Sequence, residues 1–238
     1  MAFVFLGIFS FVTFVVGLRL FVRGLEPHAR PERLLGMHTL LIAAGNVIVQ
    51  AGVIFNLQAS VLGDIVIRSG GTLIDAGYLT FAFFCIEVYR PEIPKLRYLW
   101  MGVLGLILAV QIVSVIFHIH LDPAFACQQL LRLPSYTWGT YEAFRFYGIM
   151  RRRARYGMGD AMVENRFLLW GLATALALLI LVALSITFRL TPAHWLGQLM
   201  LEFAAILALP AAILAWISFF PPNWYRLRIL PTTAGEAP

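Results

Sequence analysis

Seven stretches of about 20 predominantly apolar residues, separated by short connections that hold most of the basic residues, constrain this sequence more than any other feature. As a helix, such a stretch matches the hydrocarbon thickness of a bilayer, and a helix satisfies every backbone N–H and C=O within its own segment. The stretches cover roughly 2–22, 35–56, 68–90, 97–118, 135–151, 166–188 and 195–220. The expected fold class is all-α: a polytopic membrane bundle of seven transmembrane helices over residues 1–220, with a short cytoplasmic tail at 221–238. Composition agrees, because 61% hydrophobic and 13% charged residues is too apolar for an ordinary soluble domain. The third start is the least defined, since "ASVLGDIVIRSGG" reads equally as an outer loop, a short interfacial helix or the first turns of a long third span.

Charge then orients the bundle. Arg23, Arg30 and Arg33, then Arg90, Lys95 and Arg97, then Arg151, Arg152, Arg153, Arg155 and Arg166, and finally Arg226 and Arg228 fall on one side. The other side has Arg68, Arg132 and Arg189. Cytoplasmic connections are the basic ones, which places the N-terminus outside and the C-terminus in the cytoplasm. The net charge of +6 is thus topogenic, and no nucleic-acid partner is expected; the lipid bilayer is the first partner. The apolar N-terminus has its first basic residues, Arg19 and Arg23, at the end of the run, so it is expected to remain as an anchor. All six tryptophans fall near predicted span ends, where an indole sits at the headgroups.

Polar groups inside a span are costly and face the bundle interior or a cavity, so each is a candidate site residue. Span three holds Asp75, span five Glu142 and Arg145, and span seven His194, Gln198 and Glu202 at i, i+4, i+8 on one stripe. Span two adds Asn46 and Gln50, and span four Gln111. Counted from the predicted outer boundary, Glu142 lies about 10 Å deep and Arg145 about 15 Å, with Asp75 at a similar level. The expectation is one polar layer in the outer half, in which Asp75, Glu142 and Glu202 outnumber Arg145 and together bind a small ligand or titrate. The alternative for Glu142 and Arg145 is a mutually neutralising i, i+3 pair that only orients the helix. Glu87 and Arg90 form a similar i, i+3 pair at the cytoplasmic end of span three, and with Arg151, Arg152, Arg153 and Arg155 make the candidate face for a cytoplasmic or membrane protein partner, or a switch. Pro210 is a candidate hinge in span seven.

Several functions are disfavoured. The one lysine, Lys95, lies in a loop, where it could not carry a retinal Schiff base. Histidines at span ends do not face one another as haem ligands, and no paired-His motif for a zinc hydrolase is present. No cofactor or metal is expected; if one were bound, His118, His120 and Asp122, alternating in "HIHLD", would be the ligands to consider. Cys85 and Cys127 fall toward opposite faces and form neither a disulfide framework nor a redox motif.

"YGIMRRRARYGMGDAMVENRFLLWG", "ISFFPPNWYRLRI" and "ARPERLLGMHTLL" resemble the cytoplasmic connections of an uncharacterised bacterial seven-transmembrane-helix membrane protein family. The layout is also similar to the seven-helix sensory region of bacterial histidine kinases, without the kinase domain that follows there. The resemblance implies a fold and a multi-pass location in a bacterial inner membrane, and carries no catalytic residue. The leading expectation is a receptor-like, non-enzymatic protein that senses a small ligand or protons in the outer half and contacts a separate partner through its basic cytoplasmic face. The rivals are a small transporter or proton-coupled carrier using the same acids, and a membrane assembly factor in which the polar layer only orients helices.

Overall fold

The computed structural model describes residues 2–55, 57, 60–92, 95, 98–103, 105, 106, 109, 122–189 and 195–229. Among them there is no strand, and the chain forms α1 (Ala2–Arg23), α2 (Arg30–Ile54), α3 (Val61–Tyr89), α4 (Asp122–Arg155), α5 (Ala161–Arg189), α6 (Trp195–Phe219) and the short α7 (Asn223–Ile229). Five of these helices, α1, α2, α3, α5 and α6, are long and apolar enough to cross a membrane. The protein is a multi-pass membrane protein.

The predicted fourth span, 97–118, falls mostly outside the described residues; of its inner turns, Trp100 and Val103 pack against the core. The predicted fifth span lies inside α4, a 34-residue helix that starts well before residue 135. The segment expected as an outer loop therefore supplies helix from Asp122, with Pro134 inside it. The third span settles on the longest of its three alternatives. α3 begins at Val61, where the Ser60 side chain caps the helix by accepting from the Gly63 N–H at 3.1 Å.

Each described span packs on the next in chain order, and α6 closes back on α1, so α1 to α6 run round a ring. One end of the ring gathers Arg23, Arg30, Arg90 and the C-terminal arginines of α4, and is called the basic end below. Two cores hold the ring together. An aromatic core draws Tyr78, Phe81, Phe84 and Tyr89 from α3, Tyr136 from α4 and Trp170 from α5 around Leu35 and Ile42 of α2. A second core is built almost wholly of small residues: Ala204, Ala205, Ala208 and Ala211 of α6 meet Leu6 of α1 and Ile180 and Ala183 of α5. Burial of Trp170 in the aromatic core corrects the expectation that every tryptophan marks a membrane boundary; its aromatic neighbours at 5.2–6.4 Å explain why the ring turns inward.

Two glycines set helix spacing where it matters for the site. At Gly45 of α2 a side chain would meet the Gly70 carbonyl oxygen of α3 at 2.5 Å, so α2 and α3 run in backbone contact. At Gly139 of α4 a side chain would strike the Phe81 ring at 2.5 Å, which fixes how closely α4 approaches α3.

Candidate functional site

The polar residues that lipid does not explain collect on the seam between α3 and α4. On α3, Asp75, Tyr78, Ala82, Cys85 and Tyr89 recur at helical spacing and are all buried, so this face must meet another helix. The α4 face opposite presents Arg132, Ser135, Tyr136, Gly139, Glu142 and Ala143. Three polar levels result.

At the level farthest from the basic end, Arg132 Nε donates to Asp75 Oδ1 at 2.7 Å; Asp75 is fully buried and Arg132 is 12% exposed. The guanidinium also stands 5.9 Å from the Tyr78 ring centroid. In the middle, His38 of α2 enters the seam. Its Nδ1 lies 2.8 Å from the Gly77 carbonyl oxygen and its Nε2 3.2 Å from the Tyr136 hydroxyl. A carbonyl can only accept, so Nδ1 carries the hydrogen; in that tautomer Nε2 accepts the Tyr136 O–H. Thr80 donates to the same carbonyl at 2.7 Å, and the Phe81 ring lies 4.8 Å from the imidazole centroid.

Nearest the basic end, Glu142 is almost fully buried and multiply held. Oε1 accepts from Arg90 Nε at 3.0 Å and from the other end of that guanidinium at 2.9 Å, a geometry in which one oxygen is clasped by two donors. Oε2 accepts from Arg145 Nη1 at 2.9 Å. Trp138 Nε1 reaches Oε1 at 3.5 Å, one turn earlier on α4, so this indole serves the cluster rather than a headgroup boundary. Arg90 is the C-cap that follows Tyr89, the last residue of α3. The cluster therefore ties the C-cap of one helix to the body of the next.

This arrangement separates residues that the sequence grouped. Arg132 and Glu142 are ten residues apart on one helix, about 15 Å, so Asp75 and Glu142 occupy different levels rather than one layer. The depth expected for Glu142 was counted from residue 135; the helix starts earlier, and Arg90 draws Glu142 to the basic end. Glu202, the third acid, is exposed on α6 together with Gln198, and neither joins the seam. The expected surplus of carboxylate over arginine disappears too. Arg132 and Arg90, assigned to connections by the charge pattern, are the counter-ions, and with Arg145 they give three guanidiniums to the two buried acids. The signal that could have found Arg132 is its place one turn before Ser135 and Tyr136, on the face that Gly139 and Ala143 continue.

The remaining candidates scatter. Gln50 of α2 donates to the Ser10 hydroxyl of α1 at 3.4 Å, and Asn46 is half-buried one turn away. Glu87 reaches Arg30 of α2 at 3.8 Å. Arg151, Arg152, Arg153 and Arg155 are exposed in the final turns of α4. Gln111, His118, His120 and His194 lie outside the described residues, and Asp122 is described only as the first residue of α4. Among the described residues no three His, Cys, Asp or Glu side chains are grouped to hold a metal ion. Sequence reasoning missed His38 and Tyr136, because a histidine and a tyrosine inside apolar stretches look like ordinary core residues until the partner helix is known.

No family model, curated protein or solved structure matches the chain.

Proposed function

We propose that the protein is a receptor-like, sensory membrane protein of seven spans, with its N-terminus outside and its basic end in the cytoplasm of a bacterial inner membrane. The observation that carries this reading is the Arg90–Glu142–Arg145 cluster, which joins the end of α3 to α4 about two turns before the exposed arginines of α4. A buried carboxylate is rarely the most stable way to join two helices even when arginines clasp it, because apolar side chains of similar volume do as well or better. Its use here fits a seam with two arrangements that an input can bias. The input end is the Asp75–Arg132 pair. A small anionic ligand, or a proton taken up by Asp75, competes for the pairing of Arg132 and loosens α4 against α3. The output end is the basic face of Arg151, Arg152, Arg153 and Arg155, which a separate acidic protein partner fits. Such a protein moves no solute. Proteoliposomes carrying an imposed pH gradient and an internal pH-sensitive dye should show the same leak as protein-free vesicles; a protein-dependent flux would overturn the receptor reading.

That outcome would favour the second reading, a proton-coupled carrier. One observation speaks for it: polar groups stand at three levels of the seam, down to the basic end, whereas the sequence placed them in the outer half alone. The Thr140 hydroxyl, one turn beyond Tyr136 and two residues before Glu142, is buried and has no hydrogen-bond partner among the described residues, a position a relay water would fill.

A further inference from the structure

α6 is turned by its small residues. Gly197, Ala204, Ala205, Ala208, Ala211 and Ala212 are buried, and this face closes against α1 and α5. The rotation leaves Gln198, Leu199, Glu202, Phe203 and Ile206 exposed on the far side. Glu202 lies seven residues into α6, an axial rise of about 10 Å from Trp195, and so well within a helix that is long and apolar enough to cross a membrane. Its neighbours there are apolar: Leu199, Phe203 and Ile206 are 48%, 42% and 63% exposed. Among the described residues neither Glu202 nor Gln198 has a hydrogen-bond or ion-pair partner. A carboxyl group in that position is costly in either protonation state, because hydrocarbon offers it nothing to bond.

We propose that this face of α6 is the interface between two copies of the chain, with Gln198 and Glu202 of each copy hydrogen-bonded across a two-fold axis along the membrane normal. That axis keeps both copies in the same orientation and brings residues of equal depth together. A patch at such an interface must complement itself. The amide of Gln198 offers two donors and the carboxyl of Glu202 offers acceptors, so Gln198 of each copy donates to Glu202 of the other, and the pair one turn apart meets its own image without any other residue. A second copy needs only what α6 already presents, a donor and an acceptor one turn apart at matching depth. Leu199, Phe203 and Ile206 surround the polar pair with side chains that supply packing between helices in lipid.

Single-molecule photobleaching of dye-labelled full-length protein in liposomes, over a range of protein-to-lipid ratios, tests this directly. The wild type is expected to bleach in two steps at the higher densities. Glu202→Leu and Gln198→Leu, both lipid-compatible changes on an exposed face, are each expected to weaken the dimer by about tenfold or more. Glu202→Gln, which keeps an acceptor at this position, should retain it. Ile8→Ala, on the exposed face of α1, should change nothing. Single-step bleaching of the wild type at every density would overturn the proposal. So would undiminished dimerisation of both leucine variants, or the recruitment through Glu202 of a different membrane protein without self-association.

Discussion

The α3–α4 seam and the α5–α6 seam join neighbouring helices of the same ring by opposite means. α6 meets α5 and α1 through alanines, so the backbones approach closely and dispersion does the work, the usual solution where lipid removes any hydrophobic drive between helices. α3 meets α4 through arginines and carboxylates at two depths, with a histidine and tyrosines between them. The first seam has one good arrangement and loses contact continuously as it is disturbed. The second has discrete partners that can be exchanged. One contact holds by close packing of alanines, the other by pairing of ions.

The largest expected effect separates the two ion clusters from each other. Arg132 is only 12% exposed, so Asp75→Asn strands its charge, and unfolding in mixed micelles should become easier by about 3–5 kcal/mol. Asp75→Leu combined with Arg132→Leu should recover most of that loss, and an additive double-mutant result would refute the pairing as the cause. Glu142→Gln comes next at about 2–3 kcal/mol, because Arg90 and Arg145 are 33% and 40% exposed and can turn toward water. Site-directed spin labels near Glu92 and Tyr156 should also report a broader α3–α4 distance in this variant; an unchanged, narrow distribution would mean the cluster does not hold the seam. Ala208→Leu probes the other seam by overpacking a fully buried site, at about 1–3 kcal/mol in the same assay and with no change in the α3–α4 distance. The smallest effect belongs to Tyr136→Phe, which removes the O–H donated to His38 and should cost about 1 kcal/mol.

Much of the ring was legible in the sequence because a bilayer demands length and apolarity, and α1, α2, α5 and α6 have both in unbroken runs. Asp75, Glu142 and Arg145 stood out for the same reason, as charges where lipid tolerates none. Their partners did not. Arg132 and Arg90 sit at the ends of apolar stretches, where a charge is as readily a boundary marker as a counter-ion, and only the packing of two helices decides between them. The α6 stripe shows a different limit. The spacing of Gln198 and Glu202 correctly put both on one face, yet periodicity does not say which face turns inward; the alanines opposite them decide it, by allowing an approach that larger residues forbid. His38 illustrates the third limit, since its role exists only through a carbonyl on α3 and a hydroxyl on α4.

The polarity of α4 has a consequence for biogenesis. Of the helices longer than a single membrane crossing, it alone is not apolar enough to qualify as an independent crossing segment among the described residues. Its Arg132 and Glu142 are matched by Asp75 and Arg90, which the ribosome delivers earlier. α3 thus presents the counter-charges of Asp75 and Arg90 before α4 is made, and the order of synthesis becomes part of what specifies the finished bundle.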